Sequence, residues 1–518
     1  MQIENMSNIV SMQPREYQSK IIETAKNNNT LVVLPTGLGK TLIALHLSVH
    51  RKQQHPLSKI LFLAPTRPLI EQHFEYYKNN LPELFADLQL FTGSVPASDR
   101  KKIFQTAEII FSTPQCIAND IGKSLYSLSD VSLLIIDEAH RCLKNYDYTK
   151  VVSTYKNQAS NQLILGLTAS PGSDSDKVRQ IINHLAIDAI ELRTRDSEDV
   201  KPYLQEREYE KVEVPFPKEF EEMRILLRRI FNSKTEKLKI MNLLHGPANK
   251  ISLLMLQNRL AIQASSGNGQ AMAGMSLTAQ AIKISHALEL LETQTLKGLS
   301  DYLLGLKQQS DEKKTRGVQT LVNSPEFQAS LLSLKQLMEK GIEHPKVEEL
   351  AILIENEFKE KKNAKIIVFT QFRDTAQVIQ ERLMKLEDVK PSVFIGQAKK
   401  KGSGLSQKEQ KQIVQDLKDG VINAIIATSI GEEGLDIAEV SAVFFYEPVP
   451  SAIRKIQRAG RTARLSPGKL FILMTQDTKD IANHYASSSR EKKMYKNIEL
   501  IEQELRNKKK NPSLKRFL

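Results

Sequence analysis

The sequence predicts an α/β protein in which two parallel-sheet domains flank an all-helical domain. Short apolar segments rich in β-branched residues alternate with helical stretches from residue 30 to about 200, and the alternation returns after residue 364. Such alternation is typical of parallel βαβ units. Between about 217 and 340, Leu, Met, Ala, Gln, Lys and Glu recur at helical spacing instead, which predicts a helical insert.

The apolar segments define the expected strands of each sheet. In the first half they are 31–34, 59–66, 108–113, 133–136 and 163–168. In the second half they are 365–370, 392–396, 424–429, 442–448 and 470–475. Turn-forming residues at 265–276 predict a mobile loop within the helical region. We expect a first α/β domain at 1–200, a helical insert at 201–340, a second α/β domain at 341–490 and a basic tail at 491–518.

Length, charge and cysteine content limit the class of protein. A chain of 518 residues is too long for a single core. Its net charge of +13 and pI of about 9.3 favour a polyanionic partner. The two cysteines, Cys116 and Cys142, argue against a disulfide framework or a structural zinc site. No signal segment and no membrane-length apolar run is found, so we expect a cytoplasmic protein with no membrane partner.

A predicted strand runs directly into a phosphate-binding pattern at 31–41, LVVLPTGLGKT. Backbone N–H groups made accessible by Gly37 and Gly39 can surround a triphosphate. Lys40 can reach the β- and γ-oxygens, and the Thr41 hydroxyl can ligate Mg²⁺. The predicted cradle comprises Thr36, Gly37, Leu38, Gly39, Lys40 and Thr41.

A second strand, in SLLIIDEAH at 132–140, ends in two adjacent carboxylates. Asp137 is expected to hold Mg²⁺ through its water shell, while Glu138 positions and polarises the water that attacks the γ-phosphate. An isolated Asp-Glu pair is usually a solvated turn. The apolar strand before this pair and the phosphate-binding pattern upstream favour the catalytic interpretation.

Further motifs follow in an order that resembles superfamily 2 helicases, which carry two RecA-like domains with ATP between them. In the first half these are PREYQ (14–18), APTRPLIEQH (64–73), FTGS (91–94), STPQ (112–115) and LTASPG (167–172). In the second half they are VFTQFRDTA (368–376), ATSIGEEGLDI (427–437) and QRAGRTAR (457–464). Eight short motifs in the family's order leave little room for chance. The resemblance implies two RecA-like domains, with ATP and Mg²⁺ as cofactors.

The same resemblance implies roles for residues around the nucleotide. Arginines from the second domain reach the γ-phosphate only when the cleft closes, which ties hydrolysis to domain motion. By position these are Arg461 and Arg464. The other implied nucleotide residues are Arg15 on the adenine face, Gln18 at the adenine edge, Asp436 at the ribose and Arg458 as an organiser of the cleft.

Two further groups of residues are implied in the same way. Coupling of ATP state to domain closure is expected of His140, Thr168, Ser170 and Gln457. Contacts to a nucleic-acid backbone are expected of Thr66, Arg67, Gly93, Thr113, Gln371 and Thr428.

Within the superfamily, several segments resemble the Hef and FANCM group. They are LPTGLGKT, LAPTRPLIEQH, LGLTASPG, VFTQFRDTA, SQKEQ (406–410), GEEGLD and SSREKKM (488–494). The resemblance implies an ATP-driven DNA helicase or translocase that acts on forks and junctions in DNA repair or fork restart. Full-length Hef proteins continue into an XPF-type nuclease, whose motif is not found here, so we expect no cleavage activity.

Two alternative functions stay open. Helicases of innate immunity share the helical insert and a similar first motif, so an RNA helicase or double-stranded RNA translocase is the enzymatic alternative. An ATP-gated scaffold that recruits a nuclease or a sliding clamp to junctions is the alternative from another class.

The end of the sequence predicts a further partner. After the basic run 506–510, the segment NPSLKRFL resembles a sliding-clamp (PCNA) binding box, with Leu514, Phe517 and Leu518 as apolar anchors and Asn511 where Gln is usual. Deletion of 511–518 should therefore weaken binding to the clamp, measured as affinity for purified clamp. Unchanged affinity would remove this partner.

Overall fold

The computed structural model describes residues 10–144, 146–396, 404–428, 439–462 and 466–510. They form two parallel sheets, each covered by helices, with a helical domain between them in the chain. This confirms the predicted fold class. No helix in these ranges is both long and apolar enough to cross a membrane.

The first lobe is built on a seven-stranded sheet of order β3-β4-β2-β5-β6-β1-β7, in which every pair is parallel. Its strands are β1 (Thr30–Val33), β2 (Lys59–Leu63), β3 (Leu88–Phe91), β4 (Ile109–Ser112), β5 (Val131–Ile136), β6 (Ile164–Thr168) and β7 (Ala189–Leu192). Its helices are α1 (Glu16–Asn27), α2 (Lys40–Gln54), α3 (Arg67–Asn80), α4 (Ala97–Thr106), α5 (Pro114–Gly122), α6 (Asp147–Gln158) and α7 (Ser175–His184).

The helical insert follows the next strand, β8 (Arg207–Val214). Its helices are α8 (Lys218–Ile240), α9 (Lys250–Ser265), α10 (Gly269–Thr293), α11 (Leu296–Asp311), α12 (Arg316–Val322) and α13 (Pro325–Glu339). Apolar residues of α8, α10, α11, α12 and α13 form one buried cluster, and a smaller cluster lies between the far end of α8, α9 and the start of α10.

The second lobe has a six-stranded sheet of order β10-β11-β9-β12-β13-β8, again parallel throughout. Its other strands are β9 (Ile366–Phe369), β10 (Pro391–Phe394), β11 (Ala424–Ala427), β12 (Ala442–Phe445) and β13 (Gly468–Thr475). Its helices are α14 (Pro345–Glu360), α15 (Arg373–Leu383), α16 (Gln407–Asp419), α17 (Ala452–Ala459) and the long α18 (Lys479–Lys510).

Three strands differ from the expectations. The structure assigns β8 to the second sheet, where it pairs with β13 over eight residues, although the range 201–340 was expected to be helical insert. Its sequence, REYEKVEV, is largely exposed because it is an edge strand, and so it lacks the apolar run that marked the others. The edge strands β3 and β7 were also missed, because each is only four residues long and a polar residue interrupts its apolar run.

The expected loop at 265–276 is also different. Helix α10 begins at Gly269, so that only a short turn separates it from α9. The side chain of Asn268 accepts a hydrogen bond from Ala271 N at 3.1 Å and caps the helix. Alanine and methionine in this segment favour helix once the cap has formed, despite the neighbouring glycines.

Helix α18 connects the two lobes. It starts in the second lobe, where Asp480 pairs with the buried Lys346, and its later turns pack on the first lobe. Met494, Ile498 and Ile501 lie in the hydrophobic core beneath the first sheet. The range 491–518, expected as a basic tail, thus contains a docked helical segment up to the described end. Apolar residues at helical spacing among the lysines explain the difference.

Docking of α18 can be tested with two substitutions on that helix. Ile498→Ala should weaken local stability by about 2 to 4 kcal/mol, because it removes a completely buried side chain. Leu500→Ala, at an exposed position two residues away, is the control and should change it by less than about 0.5 kcal/mol. Hydrogen exchange of the α18 amides measures both. Equal effects of the two variants would contradict the docking.

Candidate functional site

The phosphate-binding pattern forms the turn between β1 and α2. Gly37 and Gly39 have φ angles of 84° and 75°, in the left-handed region that glycine adopts without strain. At Gly39 a Cβ would also overlap the Gln18 amide. Lys40 begins α2, and its Nζ donates a hydrogen bond to the Leu34 carbonyl at 2.9 Å. Backbone N–H groups at this helix start are the ones that the sequence predicts as an anion cradle.

The first motif packs directly on this loop. Gln18 is buried, and its Nε2 donates to Leu38 O at 3.1 Å, while Tyr17 OH donates to the same carbonyl at 2.8 Å. The Arg15 guanidinium lies 4.8 Å from the centre of the Tyr203 ring. Gln18 thus holds the loop through its amide. Tyr203, which no sequence motif indicated, is the ring against which Arg15 is placed.

Asp137 lies just beyond the end of β5, where its backbone is fixed on both sides. Its N–H donates to Leu63 O at 2.8 Å, and Tyr148 OH donates to its carbonyl at 2.8 Å. Burial raises the pKa of the Asp137 carboxyl, whereas the hydrogen bond from His73 and the charge of Lys40 lower it. The lowering effects are the larger, so the net shift of the pKa is downward. The carboxylate is therefore held ionised, as a metal ligand requires.

His73 connects the two predicted Mg²⁺ ligands. Its Nε2 lies 2.9 Å from Asp137 Oδ2, and its Nδ1 lies 3.4 Å from Thr41 Oγ1. A carboxylate only accepts hydrogen bonds, so Nε2 carries a proton and donates it to Asp137, while Nδ1 lies within hydrogen-bond distance of the Thr41 hydroxyl. Sequence reasoning missed His73 as a site residue. The available signal was a polar residue on the buried face of α3, between Ile70 and Tyr77.

Thr41 and Asp137 are suitable Mg²⁺ ligands by chemistry. Both offer oxygen donors, and magnesium in nucleotide sites usually takes one or two protein oxygens together with water and phosphate. No group of three or more His, Cys, Asp or Glu side chains able to hold a metal occurs in the described part of the chain. Two protein oxygens fit a metal whose remaining ligands are water and phosphate oxygens.

A polar connection leads from Glu138 to the bridging helix α18. Glu138 has a φ of 51°, and its Oε2 lies 3.2 Å from His140 Nδ1. The same nitrogen lies 3.2 Å from Thr168 Oγ1, which accepts from Ser170 N at 3.1 Å. Ser170 Oγ donates to Met494 Sδ at 2.8 Å. The predicted coupling residues of the first lobe thus lie in one line between the carboxylate and α18.

The second lobe approaches the phosphate loop through α17. Thr36 Oγ1 lies 3.4 Å from Gly460 O, and a Cβ at Gly460 would overlap the Thr36 side chain. Arg461 and Gln457 are mostly buried at this junction. Arg458 is completely buried, with its guanidinium 5.1 Å from the Phe369 ring centre, which suits an organiser of the cleft.

The predicted nucleic-acid contacts lie after the carboxyl ends of strands. Arg67, Gly93 and Gln371 are exposed, Thr66 and Thr113 are half-buried, and Thr428 is buried. Arg67 Nε donates to Glu71 at 2.7 Å, and Glu71 also pairs with Lys411 of α16 in the second lobe. The predicted residues Asp436 and Arg464, and the clamp anchors Leu514, Phe517 and Leu518, lie outside the described residues.

Comparison with known families divides the chain in the same way as the fold. Residues 11–173 match the family described as "Type III restriction enzyme, res subunit", and residues 345–466 match "Helicase conserved C-terminal domain". Residues 219–341 match a helical bundle provisionally assigned to an ATP-dependent RNA helicase.

The solved structure of the Pyrococcus furiosus Hef helicase domain is 39% identical, with a TM-score of 0.70, and the match covers 92% of this chain and 100% of that one. A Methanocaldococcus jannaschii protein, provisionally named an ATP-dependent RNA helicase, is 35% identical over 93% of this chain and 60% of its own length. The Fanconi anemia group M protein homolog of Mus musculus is 32% identical over 95% of this chain.

The chain belongs to the superfamily 2 helicases, a class that uses ATP. Within this class it is a member of the Hef and FANCM group. It spans only part of the curated relatives it matches, 60% of the Methanocaldococcus protein and 26% of the mouse protein.

The contact between Thr36 and Gly460 predicts the effect of a single methyl group. Gly460→Ala should separate the lobes, because its Cβ would occupy the space of Thr36. Gly305→Ala is the control, since a Cβ there has no neighbour within 4 Å. Interlobe distance, measured by fluorescence transfer between labels on α3 and α16, should rise only in Gly460→Ala. The same distance in both variants would contradict the close approach.

Proposed function

We propose that this chain is an ATP-dependent DNA helicase or translocase that acts on branched DNA, such as forks and junctions, in repair or fork restart. The observation that carries the proposal is the contact of Thr36 with Gly460, across which a phosphate loop and an arginine-bearing helix from two separate lobes face each other. Family membership and the match to the Hef helicase domain support the substrate class.

We assign the nucleotide chemistry to residues of both lobes. Lys40 would leave the Leu34 carbonyl to contact the phosphates, and the backbone N–H groups beside Gly37 and Gly39 would hold them. Glu138 would orient the attacking water, and Arg461 with Arg464 would stabilise the charge that develops on the γ-phosphate. Thr41 and Asp137 would hold magnesium, whose positive charge would neutralise negative charge on the phosphates.

The proposed motor cycle depends on which lobe each group occupies. Arg461 belongs to the second lobe and Glu138 to the first, so hydrolysis requires the closed arrangement. His140, Thr168 and Ser170 would carry the change at Glu138 to α18, which is attached to both lobes. Alternate closing and opening would move the contacts at Thr66, Thr113 and Thr428 along one strand. Such contacts go to phosphates and sugars, so binding should be insensitive to sequence and sensitive to salt.

RNA is the second candidate substrate. It is favoured by the provisional name of the Methanocaldococcus relative and by the description of the helical bundle. We further propose that the protein is intracellular and that residues 511–518 bind a sliding clamp. A nuclease is proposed as another partner, because the family acts beside nucleases at junctions.

The ATP site can be tested with one substitution. Lys40→Ala should reduce ATP turnover by a factor of about 100 or more, because it removes the charge that compensates the β- and γ-phosphates. Nucleic-acid affinity should change little, since β5 and β6 separate β1, which leads to Lys40, from the strands β2 and β4 that lead to Thr66 and Thr113. Lys78→Ala, on the exposed face of α3, is the control and should retain turnover. Surviving ATPase activity in Lys40→Ala would show that the site is misassigned.

The substrate can be tested by steady-state ATPase rates. Separate reactions would contain single-stranded DNA, forked DNA, a four-way junction or double-stranded RNA, at matched phosphate concentration and fixed salt. A further reaction without nucleic acid would give the basal rate. We expect the fork or the junction to stimulate most strongly. A preference for RNA would replace DNA as the substrate and keep the motor, while turnover that no nucleic acid stimulates would favour the scaffold alternative.

A further inference from the structure

A buried carboxylate that the ATPase mechanism does not use lies where the insert meets the second lobe. Glu447 follows β12 and is 1% exposed. Its Oε2 accepts hydrogen bonds from Thr370 Oγ1 at 3.2 Å and from Gln294 Nε2 at 3.4 Å. Burying a charged or polar group of this kind is unfavourable unless its partners are retained, so its position needs an explanation.

The two hydrogen-bond donors come from different domains. Thr370 directly follows β9 and precedes Gln371, one of the predicted nucleic-acid contacts. Gln294 ends α10 of the insert, and its Oε1 accepts from Thr375 Oγ1 of α15 at 3.0 Å. The Gln294 amide is thus held at both ends by the second lobe. Movement of α10 would be transmitted to Glu447.

Helix α17, which ends just before the predicted arginine finger Arg461, packs near the strands that lead to Thr370 and Glu447. Arg458 of α17 is completely buried, with its guanidinium 5.1 Å from the ring centre of Phe369, the residue before Thr370. It lies 5.8 Å from the ring centre of Phe445, two residues before Glu447, and its charge lowers the pKa of the Glu447 carboxyl. Arg461 follows three residues later, and its N–H donates to Arg458 O at 3.3 Å. The position of Arg458 therefore helps to set the position of Arg461.

We propose that Glu447 is a positioning residue that connects the helical insert, through Gln294, to Arg458 and hence to the arginine helix α17. Nucleic acid that shifts the insert would thereby bring the arginines toward the phosphates. The inference rests on the proposed function, since it assumes an ATPase stimulated by nucleic acid.

The charge state of Glu447 supports this role. Burial raises the pKa of its carboxyl to about 7, against the lowering effects of Arg458 and Lys346, while Asp480 raises it. Lys346 pairs with Asp480 at 2.8 Å, and the neighbouring donors Gln294 and Thr370 are uncharged. A carboxyl with this pKa is protonated below pH 7 and ionised above it. The ionised form attracts Arg458, so the connection should strengthen as pH rises through 7.

The test compares Gln294→Ala, Glu447→Gln and the double variant with wild type, using basal and fork-stimulated ATPase rates. Gln294→Ala should keep the basal rate within about twofold and lose about fivefold or more of the stimulation. Gln308→Ala, an exposed glutamine on α11, is the control and should behave as wild type. The double variant should be no worse than Glu447→Gln alone, because both changes interrupt one path.

A pH profile separates positioning from loss of stability. In wild type, the ratio of stimulated to basal rate should rise between pH 6 and pH 8, whereas in Glu447→Gln it should stay flat. Glu447→Asp should restore part of the rise, because it restores the charge. If Glu447→Gln does not fold, Gln294→Ala alone decides.

Full stimulation in Gln294→Ala would overturn the proposal, as would losses that multiply in the double variant or a pH rise that persists in Glu447→Gln. Wild-type protein that no nucleic acid stimulates would instead contradict the proposed function, and the two failures are therefore distinguishable.

Discussion

Parallel strands deliver their carboxyl ends to one edge of a sheet, and the arrangement of this protein depends on that constraint. In the first lobe, β1 ends in the phosphate loop, β5 in Asp137 and β6 in Thr168. Their backbones are fixed by the ladder, so the side chains that follow them meet without any long connecting segment. In the second lobe the same edge carries Thr370 after β9 and Glu447 after β12. The helices that join the lobes then only need to hold the carboxyl-end edges of the two sheets facing each other.

Hydrogen bonds within the first lobe hold the side chains around the phosphate loop in place. Lys40 donates to a backbone carbonyl, His73 lies between Thr41 and Asp137, and Gln18 holds the loop at Leu38. These contacts pair polar groups that are partly or fully removed from solvent.

Among the described residues, α18 joins the two lobes and the Gln294 amide joins the insert to the second lobe. Helix α18 inserts Met494, Ile498 and Ile501 into the first lobe while its first turn is fixed in the second by Asp480 and Lys346. The insert contacts the second lobe through the Gln294 amide and the buried groups around it. A rigid helix and a hydrogen-bonded junction transmit displacement, whereas a flexible linker does not.

The sequence by itself determined the central strands, the phosphate loop, the Asp-Glu pair and the helical nature of the insert. These features are encoded locally, in apolar runs, glycines at required φ angles and residues at strand ends. Tertiary structure decided the rest. Exposed edge strands such as β8 lack an apolar run, so only pairing with β13 identifies them. His73, Tyr203, Gln294 and Glu447 acquire their roles from neighbours distant in sequence, because a side chain's hydrogen bonds and burial depend on which elements fold against it. The docking of α18 on the first lobe is of the same kind, since its apolar stripe specifies a buried face without specifying what covers it.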